Sequence, residues 1–249
     1  NNVYKNYLET SNSVTYEVDG SRTDILPSTE NFMSSRLGFK FKNFHLAFST
    51  GHKAGGFNQN PFLETVGRQY KGETSSAVES GYKLNNKNLF FDFNLFYIKR
   101  KNLQVDIADQ ADPSNPVTFY FYTGNIESGY NLGIDISSNY KLSDRLSTFF
   151  NCGLLSTQRD GFSYPSPVID PNPVVPSREQ ARAPKYTVSS GFEFRPTKKI
   201  FTRLEIVAKD SYYYFNNSDQ KSRPYVIANI SAMYQLSTHF HINMSVKNA

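Results

Sequence analysis

The stretch Phe240-His241-Ile242-Asn243-Met244-Ser245-Val246-Lys247 alternates apolar and polar side chains without a break. A period of two puts every apolar residue on one face of a β-strand and every polar residue on the other. The same alternation recurs in four further segments of the chain: 89–97, 132–140, 186–194 and 226–236. A competing helical period is almost absent, so the sequence predicts an all-β protein.

The composition narrows the class of protein. The chain has 249 residues, of which 38% are hydrophobic and 15% aromatic, and its formal net charge is +5. It contains no run of about 18 apolar residues, which excludes a helical membrane protein. The 21 Phe and 17 Tyr argue against disorder, and a single Cys excludes a disulfide scaffold. Because Lys and Arg are dispersed along the chain, we expect no nucleic-acid partner.

The connections between the predicted strands alternate in length. Short turns occur near 42–43, 85–87, 143–145, 196–198 and 237–238, and between them lie long polar stretches at 54–77, 106–117, 157–183 and 211–223. Compact soluble domains seldom carry several loops longer than about 12–15 residues. Outer-membrane barrels do, with short periplasmic turns on one rim and long extracellular loops on the other. The pattern favours an antiparallel transmembrane β-barrel, and a large soluble all-β protein is the alternative.

Twelve strands are predicted between these connections. They are 1–8, 13–20, 32–42, 44–53, 77–85, 88–104, 118–141, 146–157, 184–195, 199–212, 223–236 and 240–249. Most reach the ~9–11 residues that a membrane strand needs. Aromatic residues cluster at 119–122 and 212–215, where strands meet loops, and are interpreted as interfacial girdles.

Six segments resemble, in order, the motifs of TonB-dependent outer-membrane receptors. Gly51-His52-Lys53-Ala54-Gly55-Gly56-Phe57-Asn58 resembles the family's GxKAGGFN segment. The others are short and lie at 79–83, 94–105, 125–132, 183–184 and 245–248, so that the resemblance extends over nearly the whole chain. The resemblance implies a barrel of about 22 strands around an N-terminal plug domain. Residues 1–249 are therefore expected to be a fragment, a partial barrel without signal peptide, plug, TonB box or final strand.

The resemblance also implies a function. It is TonB-dependent active uptake of a scarce nutrient across the outer membrane of a Gram-negative bacterium, and the expected nutrient is a ferric siderophore. The implied partners are the protein's own plug domain, the TonB–ExbB–ExbD complex acting through the plug, and lipopolysaccharide. Iron would be present only within the transported chelate, and no cofactor or catalytic activity is expected. A passive porin, a soluble β-rich glycan-binding protein, and an outer-membrane protease or lipase are the alternatives.

The long loops carry the candidate ligand-binding residues. Arginine forks and tyrosine hydroxyls suit an anionic, aromatic, oxygen-rich chelate. The residues predicted on this ground are Arg68, Tyr70, Arg159, Tyr164, Arg178, Arg182 and Tyr213. His239 and His241 share a strand face, but no third metal ligand lies near them in sequence, so no metal site is predicted. Cys152 falls in the apolar phase of its strand and is interpreted as a small apolar filler.

Overall fold

A computed structural model describes residues 14–18, 21–25, 32–58, 69–112, 114–115, 117–166 and 171–248. These residues contain sixteen strands. In chain order they are β1 Val14–Val18, β2 Ser21–Ile25, β3 Arg36–Phe41, β4 Phe44–Lys53, β5 Gly56–Phe57, β6 Gln69–Tyr70, β7 Glu73–Asn85, β8 Leu89–Gln110, β9 Phe119–Lys141, β10 Leu146–Arg159, β11 Phe162–Ser163, β12 Val174–Val175, β13 Tyr186–Thr197, β14 Ile200–Lys209, β15 Tyr225–Gln235 and β16 His241–Lys247. No helix among the described residues is long and apolar enough to cross a membrane.

Ten of the strands form one antiparallel sheet, in the order β3-β4-β7-β8-β9-β10-β13-β14-β15-β16. Its strands follow one another along the chain in an up-and-down meander, the order of a barrel wall. All ten strands predicted between residues 32 and 249 are confirmed. The prediction for 13–20 corresponds to β1, which pairs with β2 outside this sheet. The predicted strand 1–8 lies outside the described residues.

The two faces of the sheet differ in polarity as the alternation predicts. The strand register aligns one row of small and large apolar side chains across six strands: Phe93, Ile136, Cys152, Val188, Ala208 and Val226. Many large apolar residues on the same side of the sheet as this row are exposed, including Ile206 at 52% and Phe192 at 51%. We call this side the apolar face. It matches the lipid-facing side of a membrane barrel, which is apolar without being buried in protein.

The opposite side, the polar face, carries paired charges near the edge with short turns. The Arg203 guanidinium lies between two carboxylates, 2.8 Å from Glu193 and 2.9 Å from Glu205. Arg203 also stacks on the Phe149 ring at 4.0 Å. Opposite charges therefore neutralise one another on this part of the polar face.

Aromatic side chains on the polar face lie over glycines of the neighbouring strand. The Phe96 ring covers Gly133, and the Phe149 ring covers Gly191. A Cβ atom on Gly133 would lie 2.3 Å from the Phe96 ring, closer than any real contact. Glycine is therefore required at this position by the ring that packs on it.

Replacing Gly133 with alanine is expected to destabilise the sheet by about 1–3 kcal/mol, the usual cost of overpacking. Gly38 lies in the same row of the polar face, and a Cβ atom there meets only the Leu46 carbonyl oxygen, at 4.0 Å. Gly38→Ala is therefore the matched control. Urea unfolding in lipid vesicles measures both variants, and equal loss of stability would contradict the role of the ring contact.

The β8–β9 hairpin extends far beyond the rest of the sheet at the edge with long loops. Its strands stay paired from Leu89 and Tyr140 out to Gln110 and Phe119, well beyond the ~9–11 residues of a membrane strand. We call its outer part, residues 102–112 and 117–128, the arm. Strand β8 thus continues to Gln110, into the predicted loop 106–117, and β7 likewise begins at Glu73 within the predicted loop 54–77.

The arm has its own buried cluster, which corrects the girdle interpretation for Tyr120 and Tyr122, whereas Phe119 and Phe121 are exposed. Tyr120 and Tyr122 are only 6% and 5% exposed. They pack with apolar residues of the arm and of the 157–183 segment: Leu103, Val105, Ile107, Ile126, Tyr164 and Val175. Burial is the main cause that raises the pKa of both phenols, so they are neutral at pH 7.

Tyrosines of the apolar face occupy the positions of the girdles instead. On the apolar face, three tyrosines lie near the edge of the sheet with long loops: Tyr97, Tyr130 and Tyr186. Three others lie near the edge with short turns: Tyr82, Tyr140 and Tyr234. An amphipathic ring fits such a boundary, where one end is apolar and the other is wet.

Candidate functional site

A cavity of about 190 Å³ lies where the arm meets the segment before β13 and the loop after β14. Its lining combines cationic, amide and aromatic side chains: Lys53, Arg100, Leu103, Gln104, Val105, Asp106, Gln180, Ala181, Arg182, Tyr214, Phe215 and Asn216. Lys53 and Arg100 belong to the polar face at the ends of their membrane spans. The cavity therefore lies on the inner side of the wall, at the edge with long loops. We call it the mouth cavity.

Buried hydrogen bonds fix one wall of the mouth cavity. The Glu73 carboxylate is 5% exposed. It accepts a hydrogen bond from Arg100 Nε at 2.6 Å and one from the Gln104 backbone N–H at 2.8 Å. Arg100 Nη1 donates to Gln180 Oε1 at 3.3 Å. Arg100 thus has a matched counter-charge and a fixed orientation.

Arg182 and Lys53, the other two cations of the mouth cavity, are held more loosely than Arg100. Arg182 and Asp106 are both 63% exposed, and their charged atoms are 3.6 Å apart. Such a surface pair contributes little to stability. Lys53 is exposed at the end of β4. The cavity therefore offers two exposed cations and a fixed third to an incoming anion.

Arg159 and Arg178, both predicted ligand residues, make contacts within the protein. Arg159 is 0% exposed. It donates to the carbonyl oxygens of Asp160, Pro176 and Asn216 at 2.9, 2.8 and 2.6 Å. Burial lowers its pKa to about 10, so the guanidinium is still charged at pH 7.

Arg178 lies beside Arg159 and binds the loop after β14. It donates to the carbonyl oxygens of Asn216 and Ser218 and pairs with Asp219. Its guanidinium stacks on the Tyr213 ring at 4.2 Å. The two arginines tie the 157–183 segment to the loop after β14.

The four remaining predicted residues lie apart from the mouth cavity or outside the described residues. Tyr70 packs against Gly56, where a Cβ atom would lie 2.5 Å from the tyrosine oxygen. Tyr164 is buried in the arm cluster, and Tyr213 lies beneath Arg178. Arg68 lies outside the described residues. Of the six that the structure describes, Arg182 alone lines the mouth cavity, and a ligand contact by any of the seven stays a prediction.

The sequence interpretation missed Lys53, Arg100 and Gln104. Their signal was present: Lys53 and Arg100 fall in the polar phase of two predicted strands, at the ends nearest long loops. The predicted ligand residues all came from long polar stretches between strands, whereas the outer ends of the strands also line the mouth cavity.

The segment 51–58 has a physical explanation in the fold. A Cβ atom on Gly51 would lie 2.8 Å from Ser75 Oγ, so a larger residue there would require the Ser75 side chain to rotate away. Asn58 donates to the Thr123 carbonyl oxygen and accepts from the Thr123 backbone N–H, both at 2.8 Å. Asn217 pairs in the same way with Ala108. The side-chain amides of Asn58 and Asn217 thus bond the two outer backbone edges of the arm, with which no described strand pairs. They hold the arm beside the mouth cavity.

Comparison with known proteins identifies this architecture. Residues 4–249 match the family model described as "TonB dependent receptor-like, beta-barrel". The chain belongs to the TonB-dependent receptor family. This family consists of transporters and is not enzymatic. Its barrels are outer-membrane proteins of Gram-negative bacteria. A search of curated proteins finds no match.

Solved structures share the fold at low sequence identity. The ferric yersiniabactin uptake receptor FyuA from Yersinia pestis aligns with a TM-score of 0.68 at 14% identity, covering 95% of this chain and 35% of that one. The copper transporter OprC aligns at 0.63 and 11% identity, covering 98% and 38%. The ferric enterobactin receptor PfeA from Pseudomonas aeruginosa aligns at 0.56 and 15% identity, covering 88% and 34%. The chain thus spans about a third of the length of these receptors.

Proposed function

We propose that this TonB-dependent receptor imports a ferric siderophore across the outer membrane of a Gram-negative bacterium. The described residues form part of the barrel wall and its extracellular mouth. The plug domain and, through it, the TonB–ExbB–ExbD complex complete the transporter. No resident cofactor is needed, because iron enters within the chelate.

The mouth cavity is the observation that carries this proposal. Ferric siderophores present anionic oxygens and often aromatic rings, and Lys53, Arg100 and Arg182 supply cations beside Tyr214 and Phe215. Arginine suits such oxygens because its planar fork donates two parallel hydrogen bonds. Two of the solved relatives named above are described as receptors of ferric siderophores, which supports the same ligand class.

Growth of a deletion strain tests the proposal. With iron limiting and single ferric siderophores as the iron source, we expect the strain to lose growth on at least one of them. The intact gene should restore it. Because one structural relative is a copper transporter, growth in copper-limited medium is measured in parallel. Unchanged growth on every siderophore, or a defect confined to copper, would overturn the ferric-chelate assignment.

A further inference from the structure

A second cavity, of about 380 Å³, lies at the edge of the sheet with short turns. Two neighbouring turns border it, 86–88 between β7 and β8 and 142–145 between β9 and β10. The cavity also includes Phe90 and Asn139, which are paired residues of the polar face. Short turns of an outer-membrane barrel face the periplasm. The cavity therefore opens on the inner side of the periplasmic rim, and we call it the rim cavity.

The rim cavity has an excess of positive charge. Four cations and two carboxylates line it: Lys87, Lys141, Arg145, Arg195, Asp144 and Glu193. Glu193 is already neutralised within the sheet, because Arg203 Nη1 lies 2.8 Å from one of its oxygens. Lys87 and Arg145 are exposed, and neither makes an ion pair with a described residue. The cavity therefore presents two unpaired cations, one on each turn.

The ion pairs of Lys141 and Arg195 are weak. Lys141 Nζ lies 2.6 Å from the carboxylate of Asp144, whose side chain is 95% exposed. Arg195 Nη1 is 3.6 Å from Glu193. Exposed pairs of this kind contribute only ~0–1 kcal/mol, so an incoming charged group replaces either partner at little cost. Asp144 is thus a single available acid among four cations.

Asparagine amides complete the lining beside these charges. They belong to Asn85, Asn86, Asn88 and Asn139. The Asn86 oxygen is used within its own turn, where it accepts from the backbone N–H groups of Asn88 and Leu89 at 3.0 and 2.8 Å. The side-chain amides of Asn85 and Asn139 make no hydrogen bond with a described residue. A side-chain amide both donates and accepts, so it matches the backbone of a bound peptide.

We infer that the rim cavity binds the stem peptide of peptidoglycan. In Gram-negative cell walls this peptide is short and rich in amides, and it carries several free carboxylates and the ammonium group of a diamino acid close together. The carboxylates pair with Lys87 and Arg145, and the ammonium group pairs with Asp144. An acidic protein segment matches the cations alone and sets Asp144 against like charge. The inference rests on the outer-membrane location in the proposed function, but does not depend on which nutrient is imported.

Titration of the full-length receptor in detergent with a soluble disaccharide-tetrapeptide from Gram-negative cell walls tests this site. Since K87Q/R145Q removes both unpaired cations, we expect its affinity to fall ~10-fold or more. K198Q/K199Q changes the same net charge on the exposed turn between β13 and β14. That turn belongs to the same rim but not to the cavity lining, so this variant is the matched control and should bind as the unaltered receptor does.

Asp144 separates recognition of the stem peptide from attraction of any anion. Asp144→Asn makes the cavity more positive, so a site that recognises negative charge alone would bind more tightly. We expect the opposite, an affinity about 3-fold weaker, because the ammonium group loses its partner. With a tetrapeptide whose ammonium group has been acetylated, D144N should bind no more weakly than the unaltered receptor.

Each outcome decides the inference. Equal affinity of K87Q/R145Q and the unaltered receptor for the tetrapeptide would overturn it. Tighter binding by D144N, or equally tight binding of an Asp/Glu-rich peptide, would also overturn it and point to an acidic protein segment instead. Ferric-siderophore binding is measured on the same samples. A failure of the proposed nutrient therefore leaves the peptidoglycan result readable, and the reverse also holds.

Discussion

Arg159→Met is expected to loosen the extracellular segments around 171–182 and 212–222 by about 2–4 kcal/mol. Hydrogen bonds from a charged donor contribute roughly 1.5–3 kcal/mol each, and relief of the buried charge offsets part of the loss. Arg159 gives three such bonds, to the carbonyl oxygens of Asp160, Pro176 and Asn216. Methionine keeps an apolar chain to pack near Phe162, over which the guanidinium now lies at 4.9 Å. The substitution therefore removes the donors and retains most of the packing.

Hydrogen–deuterium exchange of the folded receptor measures this effect. A loss of 2 kcal/mol corresponds to ~30-fold faster exchange of the backbone amides that open with these segments. Arg182→Gln is the control, since this arginine is 63% exposed and pairs loosely with Asp106, and surface pairs contribute ~0–1 kcal/mol. If both variants exchange alike, Arg159 does not hold the segments together.

The same contrast shows why residue type alone could not locate the site. Arg159, Arg178 and Arg182 look equivalent in the sequence, as arginines of one long polar stretch. Arg159 is at the end of β10, in the inward phase beside the loop after β14, and is buried there. Arg182 lies beyond this contact and stays exposed. The difference comes from tertiary contacts with a segment about 57 residues further along the chain, which local pattern does not encode.

The wall of the barrel was predictable because lipid imposes a strict period of two. Within the membrane each strand must present apolar residues outward, so the segments from 89 to 97 and from 132 to 140 could be assigned correctly. Above the membrane this constraint ends. The start of β7, Glu73 to Ser76, is uniformly polar and is predicted as loop, yet it pairs with β4 and, from Thr74 onward, with β8. Leu103, Val105 and Ile107 alternate with polar residues, so the period of two continues past residue 104, where the predicted strand ends.

Removing the two exposed cations of the mouth cavity is expected to weaken ligand binding strongly without unfolding the receptor. In the double variant K53Q/R182Q we expect the Kd for the transported ferric siderophore to rise 10- to 100-fold. The reason is that hydrogen bonds to charged groups contribute roughly 1.5–3 kcal/mol each, and solvent exposure reduces this value. Arg100 is left in place, because its bonds to Glu73 and Gln180 hold the cavity wall.

Binding is measured by titration of the purified receptor with the siderophore that the growth assay identifies, at two salt concentrations. Exposed charges are screened by salt, so the unaltered receptor should lose affinity at high salt more steeply than K53Q/R182Q. K198Q/K199Q removes the same net charge from the opposite rim and is the matched control. If the two double variants bind equally well, the ligand is held elsewhere, by the plug or by loops outside the described residues. If K53Q/R182Q alone loses both affinity and salt dependence, the mouth cavity contributes directly to recognition.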